Sequence, residues 1–186
     1  ETEVIFNSAF SNSKCKIGDS NILYGITNSL IKINTTLNIN YEIVTINMTG
    51  PSKVWWGVGF NASSMSDMPW TIIVDGDGKV SERKLGNHNP GILLNNSVKV
   101  ISSVVDNKLR TVVVQRTFKG LTSNHYTFNP YNSATISFIN AIGNTVDFSY
   151  HKSKSIDILS ILPDNGETCI CAKEKIPFGK GFGKLM

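Results

Sequence analysis

The side chains best suited to chemistry are two methionines and a histidine beside strand-like segments. Met65 and Met68 follow residues 55–60, and His151 ends the apolar run 145–150. Thioether sulfur and imidazole nitrogen are ligands that suit a transition metal. A methionine is also a common packing residue, and Met68 competes with Met65 for any ligand role. The sequence therefore indicates candidate metal-binding side chains without deciding between the two methionines.

Motifs of the common enzyme classes are absent from the sequence. It contains no Gly-x-Ser-x-Gly nucleophile elbow, no His-Glu-x-x-His zinc motif and no Walker loop. Residues 75–78, Asp-Gly-Asp-Gly, have the beginnings of a calcium loop, but the twelfth position is Gly86 where a bidentate Glu is needed. We interpret this segment as a turn. We expect a binding or carrier protein and no enzyme.

Composition and charge predict one core and a distinct C-terminal segment. The 186 residues are 40% hydrophobic and 17% charged, which is enough apolar content for one packed domain. Residues 172–186 carry four lysines and one glutamate, hence most of the net charge of +4, so the body is nearly neutral and a nucleic-acid partner is not expected. We expect a domain over residues 1–171 and a basic, glycine-rich tail or linker over 172–186. That tail is either exposed or docks its phenylalanines on a sheet edge or a neighbouring copy.

Alternating apolar residues predict β-strands throughout the domain. Residues 37–48 alternate in two phases, which we interpret as one long strand with a bulge or a change of exposed face, ended by Pro51. The other predicted strands cover residues 54–60, 70–75, 98–105, 109–116, 134–142, 145–150 and 156–162. No window shows a helical apolar stripe. The pattern predicts an all-β antiparallel sandwich of about 9–11 strands with an extended C-terminal tail.

Cysteines and asparagines indicate an extracellular location. Cys15 lies near one end and Cys169 and Cys171 near the other, so a disulfide from Cys15 to either partner would leave one cysteine free or bonded to another chain. No apolar run approaches the ~18 residues that span a bilayer, so we expect no transmembrane segment. Acceptor sequons for N-glycosylation begin at Asn34, Asn47, Asn61 and Asn95. We expect a secreted or cell-surface glycoprotein.

Several short motifs follow one another along the chain in a distinctive order. They are Trp56-Gly57-Val58-Gly59-Phe60, Met65, Leu85-Gly86, Arg110-Thr111-Val112-Val113-Val114, Arg116, Ala141-Ile142-Gly143 and Tyr150-His151. In this order they resemble the DOMON domain, an extracellular β-sandwich, over about residues 15–165. DOMON domains include the cytochrome domain of cellobiose dehydrogenase and domains fused to ferric reductases and cytochrome b561.

The resemblance implies a cofactor site. In haem-binding DOMON domains, a methionine after the Gly-x-Gly-Phe strand and a histidine near the last strands hold a b-type haem, which implicates Met65 and His151. The absence of Cys-x-x-Cys-His makes such a haem non-covalent. The domain would then carry single electrons to or from a redox partner protein or domain. Walls for the ring would come from Trp55 or Trp56 with Phe60 and Tyr150, and a propionate partner from Arg83 or Arg110.

Other members of the family are thought to lack haem, which leaves an alternative function. The domain would then be a carbohydrate-binding module, or a self-assembling filament or adhesion module that uses its tail.

His88 and His125 lie in turn-rich segments, where we favour a loop role over ligation. Arg110 and Arg116 share a strand face, so we expect at least one to border the core and to need a carboxylate or carbonyl partner.

Overall fold

The computed structural model describes residues 22–131 and 135–163. The three cysteines, Cys15, Cys169 and Cys171, lie outside these residues, and so does the segment 172–186. The predicted disulfide, the predicted domain boundary and assembly through the tail therefore stay predictions. Among the described residues, no helix has the length and apolar character needed to span a membrane.

Eleven antiparallel strands make up the described part of the chain, which confirms the predicted all-β sandwich. They are β1 (Ile22–Asn28), β2 (Lys32–Asn38), β3 (Ile43–Pro51), β4 (Trp56–Phe60), β5 (Trp70–Val74), β6 (Val80–Gly86), β7 (Asn89–Leu93), β8 (Lys99–Asp106), β9 (Leu109–Thr117), β10 (Thr135–Ile142) and β11 (Ser153–Pro163). One short 3₁₀ turn, Met65–Asp67, follows β4.

The strands form one curled sheet that folds into two layers. Their order is β7-β6-β5-β4-β10-β11-β1-β2-β3-β9-β8. The strand β11 joins the halves, because residues 153–160 pair with β10 while residues 161–163 pair with β1. We call β7, β6, β5, β4 and β10 the front layer, and β1, β2, β3, β9 and β8 the back layer.

The core lies between the two layers. Alternate residues of β3, Val44, Ile46 and Met48, are fully buried there and share one apolar cluster with Trp56 of β4. The Trp56 indole lies flat against β3, where a Cβ added to Gly50 would be 2.8 Å from its ring atoms. The glycine therefore lets the two layers approach closely.

Two strand predictions are wrong, and both errors have a physical reason. Residues 37–48 are a hairpin, with β2 and β3 on either side of a turn in which Glu42 has a positive φ of 52°. The change of phase comes from this turn, since each strand restarts the alternation. Residues 145–150 form an irregular loop, so His151 does not end a strand.

The turn predicted at residues 75–78 is confirmed. The Asp75 carboxylate accepts hydrogen bonds from the backbone of Asp77 at 3.0 Å and Lys79 at 2.8 Å, between β5 and β6. Between β8 and β9, Asn107 and Lys108 have φ values of 47° and 66°, the left-handed geometry of a tight hairpin.

No group of three or more ligands of the His, Cys, Asp and Glu types gathers in the part of the chain that the structure describes.

A buried carboxylate ties the front layer to the segment before β8. Glu82 of β6 is fully buried. It accepts hydrogen bonds from Trp70 Nε1 at 2.8 Å, from Val98 N at 2.9 Å, and from the Ser97 hydroxyl at 2.7 Å and its backbone N–H. Four donors compensate the carboxylate for its lost hydration.

Arg116 completes the cluster, as expected for a core-bordering arginine. It donates to the carbonyls of Thr117 at 3.0 Å, Phe118 at 3.2 Å and Tyr126, and its guanidinium lies 4.6 Å from the Trp70 ring centre. Burial lowers the pKa of Arg116, while the charge of Glu82 acts in the opposite direction. The group keeps its charge because its ordinary pKa is far above neutral pH.

Replacing the buried carboxylate should destabilise the domain. We expect Glu82→Gln to lower the free energy of unfolding by about 1.5–3 kcal/mol, because an amide NH₂ must face one of the donors. The exposed Glu42→Gln serves as the matched control and should change it by less than ~0.5 kcal/mol. Urea denaturation followed by tryptophan fluorescence measures both. Equal losses in the two variants would contradict the role given to Glu82.

Candidate functional site

A pocket of about 620 Å³ lies on the outer face of the front layer. Its floor is the outward side of four neighbouring strands, and three loops rise around it: residues 61–69, the β6–β7 turn and residues 143–152. The floor residues are Gly57, Gly59, Thr71, Ile73, Ile139, Ala141, Lys154 and Ile156. The pocket is thus backed by one layer and does not lie between the two.

The sequence of β4 explains why the floor is bare. Side chains alternate between the faces of a strand, so Trp56, Val58 and Phe60 all point into the core, while Gly57 and Gly59 face the pocket. The space above Gly57 is taken by its neighbour in β5, since an added Cβ would lie 2.5 Å from Ile73 Cδ1. The floor is therefore smooth and apolar.

Met65 reaches the pocket from the 3₁₀ turn, which a carboxylate holds in place. Asp67 accepts hydrogen bonds from Ser63 N at 2.7 Å, Ser63 Oγ at 3.0 Å and Ser64 N at 3.0 Å. These bonds favour the charged form and lower the pKa of Asp67. Met68 follows in a left-handed conformation, is 48% exposed and does not line the pocket.

His151 enters from the 143–152 loop, which is fastened at several points. Trp55 N donates to Thr145 O at 2.9 Å, and Trp55 Nε1 donates to Ser149 Oγ at 3.3 Å. Lys152 N donates to Ile142 O at 2.8 Å, which returns the chain to β10. The half-buried His151 therefore sits on a loop of defined shape although it belongs to no strand.

An aromatic and cationic stack connects this loop to the β6–β7 turn. The Phe148 ring meets the Trp55 indole edge-on at 4.8 Å, and the Arg83 guanidinium lies 5.2 Å from the Phe148 ring centre. Arg83 Nε also donates to Pro90 O at 2.9 Å. These contacts brace one side of the pocket against the other.

The lining carries positive charge and no carboxylate. Lys154 is its one charged residue. Tyr150 stands at the mouth, 84% exposed, with its ring 4.7 Å from the His151 ring. The pocket suits an apolar ligand that bears negative charge at its edge.

The structure brings three of the five residues predicted for a cofactor into one place: Met65, Tyr150 and His151 line the pocket. Trp56 and Phe60 do not, because the alternation of β4 turns both into the core. Trp55, the other tryptophan considered, lines it instead. Whether these residues hold a haem stays a prediction.

Arg110, one of two candidate anion partners, lies elsewhere. It donates to Ser103 Oγ at 3.1 Å and to Gly76 O at 3.4 Å and does not line the pocket. The sequence interpretation missed Phe148 and Lys154, and it favoured a loop role for His88, which does line the pocket. Lys154 could have been found from the sequence, because it belongs to the strand 153–163, in which alternate residues face outward. Nothing local in the sequence marks Phe148.

The sequon asparagines are exposed or half-buried. Asn34 and Asn47 are direct cross-strand partners of β2 and β3, Asn61 follows β4 with a φ of 57°, and Asn95 lies in the segment before β8. The hydroxyl of Ser97, the third residue of the last sequon, is bound to Glu82. Glycosylation of these sites stays a prediction.

Comparisons with known proteins return structural likeness of limited extent. No family profile and no curated protein matches the sequence. Among solved structures, the chain is similar to the cytochrome b domain of pyranose dehydrogenase from Coprinopsis cinerea. The TM-score is 0.48 at 14% sequence identity, and the match covers 64% of this chain and 68% of that one. The function is therefore inferred from the pocket itself.

The carboxylate of Asp67 should control the order of the Met65 turn. Because the pKa of Asp67 is lowered, its support is complete above the ordinary value of ~3.9 and is lost as the pH falls through the lower, folded-state pKa. We expect NMR to place the Asp67 midpoint below ~3.9, and the Met65 methyl signal to move only in that acidic range.

A pair of variants checks the same point at neutral pH. Asp67→Asn should increase the mobility of the Met65 methyl group, whereas Asp77→Asn, at an exposed turn, should not. Methyl relaxation measurements compare the two. An Asp67 midpoint at or above ~3.9, or equal mobility in both variants, would show that the carboxylate does not hold the turn.

Proposed function

We propose that this domain binds one b-type haem non-covalently in the outer pocket and carries single electrons to or from a redox partner. The observation that supports it is that Met65 and His151, 86 positions apart in the sequence, line the same pocket. Packing alone gives no reason for a thioether and an imidazole to meet on the outside of a sheet.

The pocket fits the group in size, polarity and donor set. Its volume of about 620 Å³ falls within the ~300–1,000 Å³ typical of cofactor sites. The floor is apolar, as a porphyrin face requires, while Lys154 in the lining and Arg83 beside Phe148 offer cations to propionates. The lining holds no carboxylate that would repel them.

The haem, when bound, would supply an iron that alternates between the ferrous and ferric states. Met65 would offer a neutral, polarizable thioether, which favours the reduced state and raises the potential. His151 would anchor either state through its imidazole nitrogen. If both Met65 and His151 held the group, the domain would carry electrons and would not bind a substrate at the iron.

The surrounding side chains would control access to the cofactor. Trp55 and Phe148 line the side of the pocket nearest the 143–152 loop, where their rings would limit the access of water to the group. Tyr150 and Lys154 are exposed at the mouth, which leaves an open edge for a redox partner. The sequons and the cysteine spacing support an extracellular location for this exchange.

A carbohydrate ligand is the second candidate, favoured by the mouth of the pocket. The exposed Tyr150 ring lies beside His151, and the pocket is also lined by the polar residues Ser63, Ser64 and Asn89. An exposed aromatic ring with polar neighbours is suited to stacking on a sugar. The haem-free module would use the same pocket with Tyr150 as its platform.

Haem reconstitution tests the first function. We expect the apo domain to bind one equivalent of haemin, with a Soret band and, after reduction, a sharp α band. Met65→Leu should abolish the thioether-to-iron charge-transfer band of the ferric form and lower the reduction potential, because the thioether is lost. Met68→Leu is the matched control and should leave both unchanged, since Met68 lies outside the pocket.

The contrary result would be absence of the Soret band in the unchanged domain, or loss of the charge-transfer band in Met68→Leu but not in Met65→Leu. Calorimetric titration with an oligosaccharide panel accompanies this experiment. Saturable sugar binding that Tyr150→Ala removes, in a domain that binds no haemin, would replace the first function with the second.

A further inference from the structure

His88 is a second imidazole at the pocket, and the function proposed above gives it no role. It lies at the tip of the β6–β7 hairpin and lines the pocket together with Met65 and His151. Three features of the structure indicate that His88 does more than close a turn: the state of its ring nitrogens, its backbone conformation and the side of the pocket from which it comes.

The ring nitrogens of His88 are arranged as in a metal ligand. Nδ1 lies 2.5 Å from the side-chain oxygen of Asn87, and in the tautomer that carries the proton on Nδ1 it donates to that oxygen. Among the described residues, Nε2 makes no hydrogen bond, so in that tautomer its lone pair is unused. Ligating histidines characteristically donate from one nitrogen to a neighbouring oxygen and bind metal with the other.

The backbone of His88 is in a conformation that favours other residues. Its φ is 55°, in the left-handed region, where glycine or asparagine fits without strain. Asn89, the next residue, pairs with Gly86 across the hairpin. His88 is therefore held at a defined position in a tight turn.

His88 approaches the pocket from the same side as Met65. The 3₁₀ turn with Met65 packs against β6, and Leu85 N donates to Pro69 O at 3.0 Å, so both residues lie near the Phe60 end of β4. His151 follows β10, whose Ile142 pairs with Trp56 at the other end of β4. A ligand between the two ends therefore meets His151 from one side, and Met65 and His88 from the other.

We propose that Nε2 of His88 is an alternative protein ligand for the iron of such a haem, which would serve together with His151 in the place of Met65. This inference rests on the proposed haem function. Imidazole stabilises ferric iron better than a thioether does, so the exchange would favour the oxidised protein and lower its potential. The domain would then have two reduction potentials, a higher one with Met65 bound and a lower one with His88 bound.

Removal of the thioether tests this directly. Met65→Leu keeps the volume of the side chain and lies on a half-buried loop, so the domain should fold. We expect its ferric haem complex to remain six-coordinate and low-spin, with the electron paramagnetic resonance signature of two imidazoles. The double variant Met65→Leu/His88→Asn should become high-spin, because asparagine keeps the left-handed backbone but provides no imidazole.

Two outcomes would overturn the assignment: a high-spin Met65→Leu complex, or a double variant that stays low-spin through another ligand. Either is distinct from failure of the proposed function, which would appear as absence of haem binding in the unchanged domain and would remove both proposals together. If Met65→Leu does not fold, as judged by circular dichroism, Met65→Ala replaces it in the same series.

Apo-domain stability provides a readout that needs no haem. We expect His88→Asn and His88→Gly to raise the melting temperature by about 2–4 °C, because each relieves the left-handed strain. A purely structural His88 would give the opposite sign. Asn107→Gly, at a left-handed turn position away from the pocket, is the control for the conformational effect alone.

Discussion

The arrangement of side chains along β4 is the constraint on which the rest of the structure depends. This strand has bulk on one face and almost none on the other, because Trp56, Val58 and Phe60 alternate with two glycines. The bulky face joins the layers through the core, and the Trp56 indole packs against the backbone of Gly50. The bare face leaves an apolar surface that loops can surround but do not fill.

The loops supply the chemistry that this surface lacks, and each is held by its own polar contact. The Asp67 carboxylate organises the turn that carries Met65. The Arg83 guanidinium connects the hairpin of His88 to Phe148 of the opposite loop. Glu82, the neighbour of Arg83 in β6, faces the core and accepts a hydrogen bond from Trp70 there. One strand, β6, therefore serves both the stability of the fold and the shape of the site.

The sequence predicted the fold class because a period of two is visible wherever one face of a strand is buried. The sequence does not locate every turn. A hairpin such as β2–β3 and a single strand with a bulge produce the same change of phase in the apolar pattern. Residues 145–150 alternate like a strand, but the hydrogen bonds of Trp55 to Thr145 and Ser149 hold them as a loop. Propensity does not contain that tertiary contact.

The sequence predicted only part of the site, because it shows the types of the donors but not how the strands bring them together. Met65 and His151 were identified by the type of donor and by resemblance. Their joint presence at one pocket depends on the pairing of β4 with β10, whose nearest paired residues, Phe60 and Phe138, are 78 positions apart. Trp56 and Phe60 were expected as walls of the site but lie in the core, because the outward position of the pocket is a property of the assembled layer. A loop role was favoured for His88 because the residues around it predict a turn and do not show that this turn borders the pocket.

X-ray absorption at the iron edge of the reconstituted ferrous domain tests the central claim most directly. We predict a single sulfur neighbour alongside nitrogen neighbours, and its disappearance in the Met65→Leu variant. An iron shell without sulfur in the unchanged ferrous protein would contradict the account, and the outer pocket would then need a different ligand.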